Sequence, residues 1–316
     1  MTTDGGAGTA GYAMVPVYLD PYIIDQSRKF TPLVELISRV TNMGTYAAYN
    51  KITAKGGGYS AAEDAPLPDK DNTKTRAATA IKYLYAVGRV SGPARASYPS
   101  YMLPGFAPTG TGLSGSGFSP ESAPNAKQLE VVLQTRAIRE LEENLIVNGN
   151  ATSDSTQFDG IVTTQDTTNA VAKGSTAITY NDYEDAIRYA VDDSGRPNIG
   201  ICDTSTCTDL RKTMINTFHY RPSDMTVNLP FGVSSHLLLE TMIGPVPVLY
   251  SQYLSTTSGS KSIYFLDMSA IEMRVLQDLT YEELAKTNDS EKFMLKIYET
   301  LIMKNTNFNG CVTGIS

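Results

Sequence analysis

The stretch from Pro124 to Asn148, closed by Gly149-Asn150 and followed by Phe158-Asp159-Gly160-Ile161, constrains the fold more than any other part of this chain. Leu129, Leu133, Ala137, Leu141 and Leu145 recur at i+4, and Val132 and Ile138 widen the stripe. That spacing is the signature of an amphipathic helix buried along one side. Glu130, Arg136, Arg139, Glu140, Glu142 and Glu143 fall mostly off the stripe and are expected to be solvated. From Lys127 to Val147 the helix would span about 31 Å at roughly 1.5 Å per residue, the width of a small domain. A helix of that length between irregular flanks is expected to serve as a scaffold element rather than a catalytic cradle.

The segments around it set the organisation. Residues 1–30 read as an extended arm, Gly/Thr/Ala-rich at first and then apolar from Met14 to Ile24 with prolines at Pro16 and Pro21. Phe30 to Val40 predicts a helix, with Thr31 as N-cap, Pro32 at the first helical position and Leu33, Ile37 and Val40 apolar. Tyr46 to Thr53 and Ala77 to Val90 read as two strands flanking Gly56-Gly57-Gly58 and a polar tip, Glu63 to Asp71. Together they make a large hairpin. Its returning strand presents Ile81, Tyr83, Tyr85 and Val87 on one face. A two-stranded ribbon cannot bury such a face by itself, so a neighbouring subunit is the expected support.

Residues 97–123 are Gly/Ser/Pro-rich and read as a loop or insertion. Beyond the long helix comes a mixed block. Helices are predicted over Tyr180–Val191, capped by Asn181 or Asp182, and over Thr204–Thr217 with Leu210, Met214 and Phe218 on one side. Strands are predicted at Ile199–Asp203, Val246–Tyr250 (a proline-bearing edge strand), Ser262–Asp267, Met273–Gln277 and Lys292–Lys304. The class is α+β or α/β, with two lobes expected in 316 residues.

Chemistry is sparse. A net charge of -7 and a pI near 5.0 argue against a nucleic-acid reader, which would need a basic stripe to neutralise phosphates. With only 19% charged residues, area is expected to be hidden in contacts between subunits. Gly110-Thr111-Gly112-Leu113-Ser114-Gly115 matches GxGxxG, yet prolines at 104, 108, 120 and 124 surround it, where a nucleotide fingerprint needs a buried strand before and a helix after. His219 and His236 have no triad partners, and Cys202, Cys207 and Cys311 have poor zinc spacing and read as free buried thiols. Neither catalytic residues, a cofactor site nor a metal site is expected. No apolar run is long enough to span a bilayer, so a soluble protein of a reducing cytosol is expected, with no membrane partner. Asp20, Asp25, Glu35, Glu63, Asp64 and the cluster Glu140, Glu142 and Glu143 leave a carboxylate-dependent hydrolase as the rival reading of a different class.

The order of arm, short helix, large hairpin, long helix and mixed block resembles the major capsid proteins of tailed viruses, with the Hong Kong 97 fold. The motifs that carry it are Asn148-Gly149-Asn150 with Phe158-Asp159-Gly160-Ile161, Gly244-Pro245-Val246-Pro247-Val248, the tip Ala62 to Pro68, and the closing segment Lys292 to Asn309. The resemblance implies an α+β fold with an N-arm (1–30), a P-domain start (31–45), an E-loop (46–96), a loop or insertion with the P-domain spine helix (97–154), an A-domain (155–260) and P-domain return strands (261–316). It implies a non-enzyme that self-assembles as hexamers and pentamers into an icosahedral shell around a double-stranded DNA genome, touched without sequence-specific contact. The expected place is the virion, after synthesis in the host cytoplasm. Ile81, Tyr83, Tyr85, Val87, Glu63 and Lys70 are the expected inter-subunit contacts. A separate scaffolding protein or none, and portal and cement proteins, are further partners it implies. Some relatives crosslink an E-loop Lys to a P-domain Asn, for which Lys70, Lys74, Asn305, Asn307, Asn309 and Glu63 are candidates. An encapsulin-type nanocompartment shell is the alternative on the same fold.

Overall fold

The computed structural model describes residues 28–66, 69–93, 126–165, 167–218, 237–286 and 288–316. Most of the expected arm, the GxGxxG stretch, Leu67 and Pro68 of the tip, Asp20, Asp25, His219 and His236 lie outside the described residues. Among those described, twelve strands form three sheets.

The long helix, α2, runs Ala126–Asn148, as the periodicity requires. It stops where the glycine pair permits close backbone approach. Gly149 N–H donates to Leu145 O at 2.9 Å and Gly160 N–H to Gly149 O at 2.8 Å. A Cβ on Gly149 would lie 2.2 Å from Phe158 O, so only glycine fits there.

The first helix is shorter than expected. α1 covers Pro32–Leu36 with Thr31 as its N-cap, and Arg39–Thr41 leaves it to form strand β1. Val40 therefore belongs to a strand, because β1 finds a parallel partner in β10 (Ile271–Leu284), with Val40 opposite Arg274. Helix α1 has no side-chain cap of its own. Glu143 of α2 supplies the acceptors instead, taking Leu33 N–H at 3.2 Å and Val34 N–H at 2.9 Å.

The hairpin also differs from its expected form. β2 (Tyr46–Ala54) pairs antiparallel with β3 (Thr73–Ala80), but the returning segment breaks at Ile81, and β4 (Lys82–Ser91) joins another sheet. That sheet has the order β1-β10-β11-β4, where β11 is Ser290–Met303. Leu84, Ala86, Gly88 and Val90 turn toward α2, whereas Tyr83, Tyr85 and Val87 turn away. The break arises because β4 has a full-length antiparallel partner in β11, from Lys82↔Glu299 to Ser91↔Ser290.

A six-stranded sheet takes the order β5-β12-β9-β6-β8-β7. Its members are β5 (Ala170–Thr176), β6 (Ile199–Cys202), β7 (Leu237–Thr241), β8 (Gly244–Tyr250), β9 (Lys261–Leu266) and β12 (Gly310–Ile315). The proline-bearing strand β8 is thus interior, not an edge. Its register with β6 begins only at Val248, so Pro245 and Pro247 lie where β8 pairs on one side alone, with β7. The segment 261–316 is shared between the two large sheets: β9 and β12 join the six-stranded one, β10 and β11 the four-stranded one.

Between Asn148 and β5 lies the short helix α3 (Ile161–Thr164). α4 (Tyr180–Asp192) is capped by Thr179 rather than Asn181 or Asp182. Asp182, three residues in, accepts from Thr179 N–H at 2.6 Å. α5 (Thr204–Phe218) begins at Asp203, whose Oδ2 takes Ser205 and Thr206 N–H at 2.9 and 3.0 Å. Strand β9 is buried on both faces, and this joins the lobes. Tyr264 and Leu266 enter a core shared with α1, α2, β4, β10 and β11; Ile263 and Phe265 enter a second core under α4 and α5.

Candidate functional site

Three surfaces or joints stand out, each traceable to a local sequence rule. The first is the ribbon β2–β3. Its side chains are exposed on both faces over most of its length, including Tyr46 and Ile52. Its root is held by buried Ala47 and by Tyr49 Oη donating to Met303 O at 3.2 Å. Toward the tip, Gly56 N–H donates to Asn72 Oδ1 at 2.6 Å and Lys70 Nζ sits 4.8 Å from the Tyr59 ring. Glu63 and Lys70 are both exposed at this end.

The second is the outward face of the four-stranded sheet. Tyr83 and Tyr85 are each 48% exposed and Val87 is 55% exposed. Tyr298 of β11 packs edge-on between the tyrosines, with ring centroids 4.8 Å from Tyr83 and 6.1 Å from Tyr85. Its hydrogen bond to Tyr85 raises the Tyr85 phenol above its usual value. Ile81 does not belong to this face. At the break between β3 and β4 it turns into the subunit and is buried, so it offers nothing to a neighbour.

The third is a polar seam inside the molecule, which sequence reasoning missed. Glu142 and Glu143, expected in solvent, are fully buried, as is Glu299 of β11. Arg39 of β1 pairs with Glu142 and, through Nη1, reaches Glu299 Oε2 at 3.2 Å; Arg139 Nη1 donates to Glu142 Oε2 at 2.8 Å. Burial pushes Glu143 up to about 7 against two backbone donors that lower it. Burial also raises Glu142, and Glu299 reaches about 8 through burial and the adjacent Glu142 charge.

Just outside the seam, the end of the arm crosses α2. Arg28 Nη1 contacts Glu140 Oε2 at 3.2 Å, and Lys29 N–H donates to Glu140 Oε1 at 2.8 Å. Lys29 Nζ lies 4.5 Å from the Tyr253 ring centroid, and Phe30 N–H reaches Gln252 Oε1 at 3.2 Å.

Other sequence candidates go to structural roles. Asn309 is buried: its Oδ1 takes Asp267 N–H at 2.8 Å and its amide meets Met303 Sδ at 3.2 Å. Asn305 caps the turn that follows, accepting from Asn307 N–H. Cys202, Cys207 and Cys311 are free thiols, two of them buried. Burial raises Cys202 well above its usual value. Among the described residues no cluster of His, Cys, Asp and Glu could hold a metal, and no helix is long and apolar enough to cross a membrane. Of the candidate carboxylates, Glu142 is held by Arg39 and Arg139, and Glu143 by the Leu33 and Val34 backbone donors.

Comparison with known proteins agrees with this architecture. The family model for the SU10 major capsid protein matches residues 109–316. No curated protein matches the chain. Among solved structures, the capsid of the native GTA particle aligns with a TM-score of 0.67 at 13% identity, covering 100% of both chains. The Mycobacterium phage Ogopogo structure aligns with a TM-score of 0.65 at 17% identity, over 98% of this chain and 99% of that one. The holo-SrpI encapsulin complex of Synechococcus elongatus PCC 7942 aligns with a TM-score of 0.68 at 10% identity, over 98% and 95%. These likenesses establish a Hong Kong 97-like fold.

Proposed function

Because the chain belongs to the SU10 major capsid protein family, we propose that its copies assemble as hexamers and pentamers into an icosahedral virion shell around double-stranded DNA, without catalysis. The observation that carries this reading is the ribbon β2–β3, which leaves the subunit with exposed faces and no core of its own. A ribbon of two strands is marginal in water, so its natural place is on another copy. Tyr83, Tyr85 and Val87 form the matching apolar surface, and Glu63 and Lys70 are tip contacts. Each subunit then both gives and receives a ribbon, and repeated modest contacts sum to a strong shell.

In this reading residues 1–30 are the N-arm, the ribbon is the E-loop, α2 is the spine of the P-domain, and the region near 155–260 contributes the A-domain toward the capsomer centre. Scaffolding, portal and cement proteins are the further partners, and the subunit is made in the host cytoplasm before it enters the virion. The encapsulin likeness reports a shared fold; the family model favours the viral shell over the nanocompartment. Native mass spectrometry of the purified full chain tests the stoichiometry. Species at six and five times the 34.2 kDa subunit mass are expected as concentration rises. Dimers or trimers as the end point would overturn the hexamer and pentamer assignment.

A further inference from the structure

The seam between α2 and the four-stranded sheet contains more acceptor than its donors can serve. Glu299 follows Phe293, Leu295 and Ile297 at period two along β11, so the strand aims its carboxyl into the core. Glu142 follows Ile138 by one helical turn and precedes Leu145 and Ile146, on the buried side of α2. The one Arg39 guanidinium bridges the two carboxyls, pairing with Glu142 Oε1 and reaching Glu299 Oε2 at 3.2 Å. Arg39 takes one oxygen of each, and Arg139 takes the remaining oxygen of Glu142. Glu299 Oε1 is left buried with no donor reaching it.

A buried acceptor beside a second carboxyl needs a donor, and the simplest one is a proton held between them. The other charged groups around the pair do not provide it. Asp278 of β10 sits 3.9 Å from Arg39 and is largely exposed. Lys82 stands opposite Glu299 in the β4–β11 register, but its Nζ donates to Ser155 O at 2.6 Å. Glu143 is occupied by the α1 backbone, with Glu35 adding negative charge nearby.

We propose that Glu142 and Glu299 share one proton in the folded subunit, so that the seam joining α2 to β1 and β11 is a proton-dependent latch that weakens when the proton is lost. The direction follows from linkage. A carboxyl that binds its proton more tightly when folded contributes stability that is fully present below its unfolded pKa. That contribution is lost as pH rises through the folded value. With Glu299 at about 8, the window runs from the ordinary carboxyl range to about pH 8.

Urea unfolding of the full chain from about pH 5 to about pH 9 tests the proposal in the native sequence, Glu299→Gln, Glu142→Gln and Glu143→Gln. Besides Glu143's own contribution below about pH 7, the shared proton contributes about a tenfold rise in the native unfolding constant per pH unit within the window. Glu299→Gln and Glu142→Gln should each remove that contribution. Glu143→Gln should remove only its own share, ending near pH 7. An unchanged slope in both Glu299→Gln and Glu142→Gln would overturn the proposal. Infrared spectroscopy of the native chain near neutral pH gives a test that needs no variant to fold. Above pH 7, where Glu143 has largely given up its own proton, it should still show the carbonyl stretch of a protonated, solvent-shielded carboxyl, and that band should disappear reversibly above about pH 8 while the fold persists. Absence of that band would equally overturn it.

Discussion

Above about pH 8, where Glu299 gives up its proton, Arg39→Ala is expected to destabilise the subunit by about 3–5 kcal/mol, the range for stranding a buried charge, and to lower its thermal midpoint by roughly 5–8 °C. Glu142 and Glu299 are fully buried, and Arg39 is the one cation in hydrogen-bond contact with both among the described residues. Arg139 continues to serve Glu142, so the loss falls mostly on Glu299. The sign of its pH dependence is fixed. Removing Arg39 makes both carboxyls hold protons more tightly, so the defect should be largest above about pH 8 and shrink as pH falls toward 5. Glu299→Gln on top of Arg39→Ala should recover much of the loss, because the stranded charge is gone. Circular dichroism melts at both pH values check this; a small, pH-independent change would show that the seam is not held by charge.

Replacing residues 51–75 with Asn-Gly should abolish shell formation while leaving the subunit folded. Asn50 and Arg76 face each other in the β2–β3 register, so a two-residue turn of that sequence can close the shortened hairpin. The root contacts survive, since Ala47 and Tyr49 are retained. The removed side chains are almost all exposed, so the melting midpoint should move by no more than a few degrees. Particle yield, by contrast, should fall below detection by sedimentation. Particles at normal yield would remove the ribbon from the assembly surface, and an unfolded subunit would make it part of the core.

The long helix, the ribbon, the glycine stop and most strand positions were legible because each follows a local period or a steric rule. The buried face of α2 was only half legible. A series at strict i+4 advances 400° per step, so it drifts about 40° around the helix each time. The series starts off the core and drifts toward it: Leu129, Leu133 and Ala137 are only half-buried, Leu141 is still 38% exposed, and Leu145 alone is buried. Ile138, Glu142 and Ile146 share the buried position with Leu145. The burial of Glu142 and Glu143 could not be read locally, since their partners Arg39, Leu33, Val34 and Glu299 lie over a hundred positions away in sequence. The same holds for Ile81: strict alternation put it beside Tyr83, but pairing of β4 with β11 rather than β2 broke the strand there. Strand β12 went unnoticed because Gly310-Cys311-Val312-Thr313-Gly314-Ile315 is short and glycine-flanked; its burial comes from β5 and β9 on either side.

The central claim is that this subunit is built to be completed by copies of itself. Electron microscopy of the purified chain tests it most directly. Closed shells or hexameric sheets are expected, with the β2–β3 ribbon of each copy lying against its neighbour in the density. A uniform population of isolated 34.2 kDa particles, unchanged across concentration and salt, would contradict it.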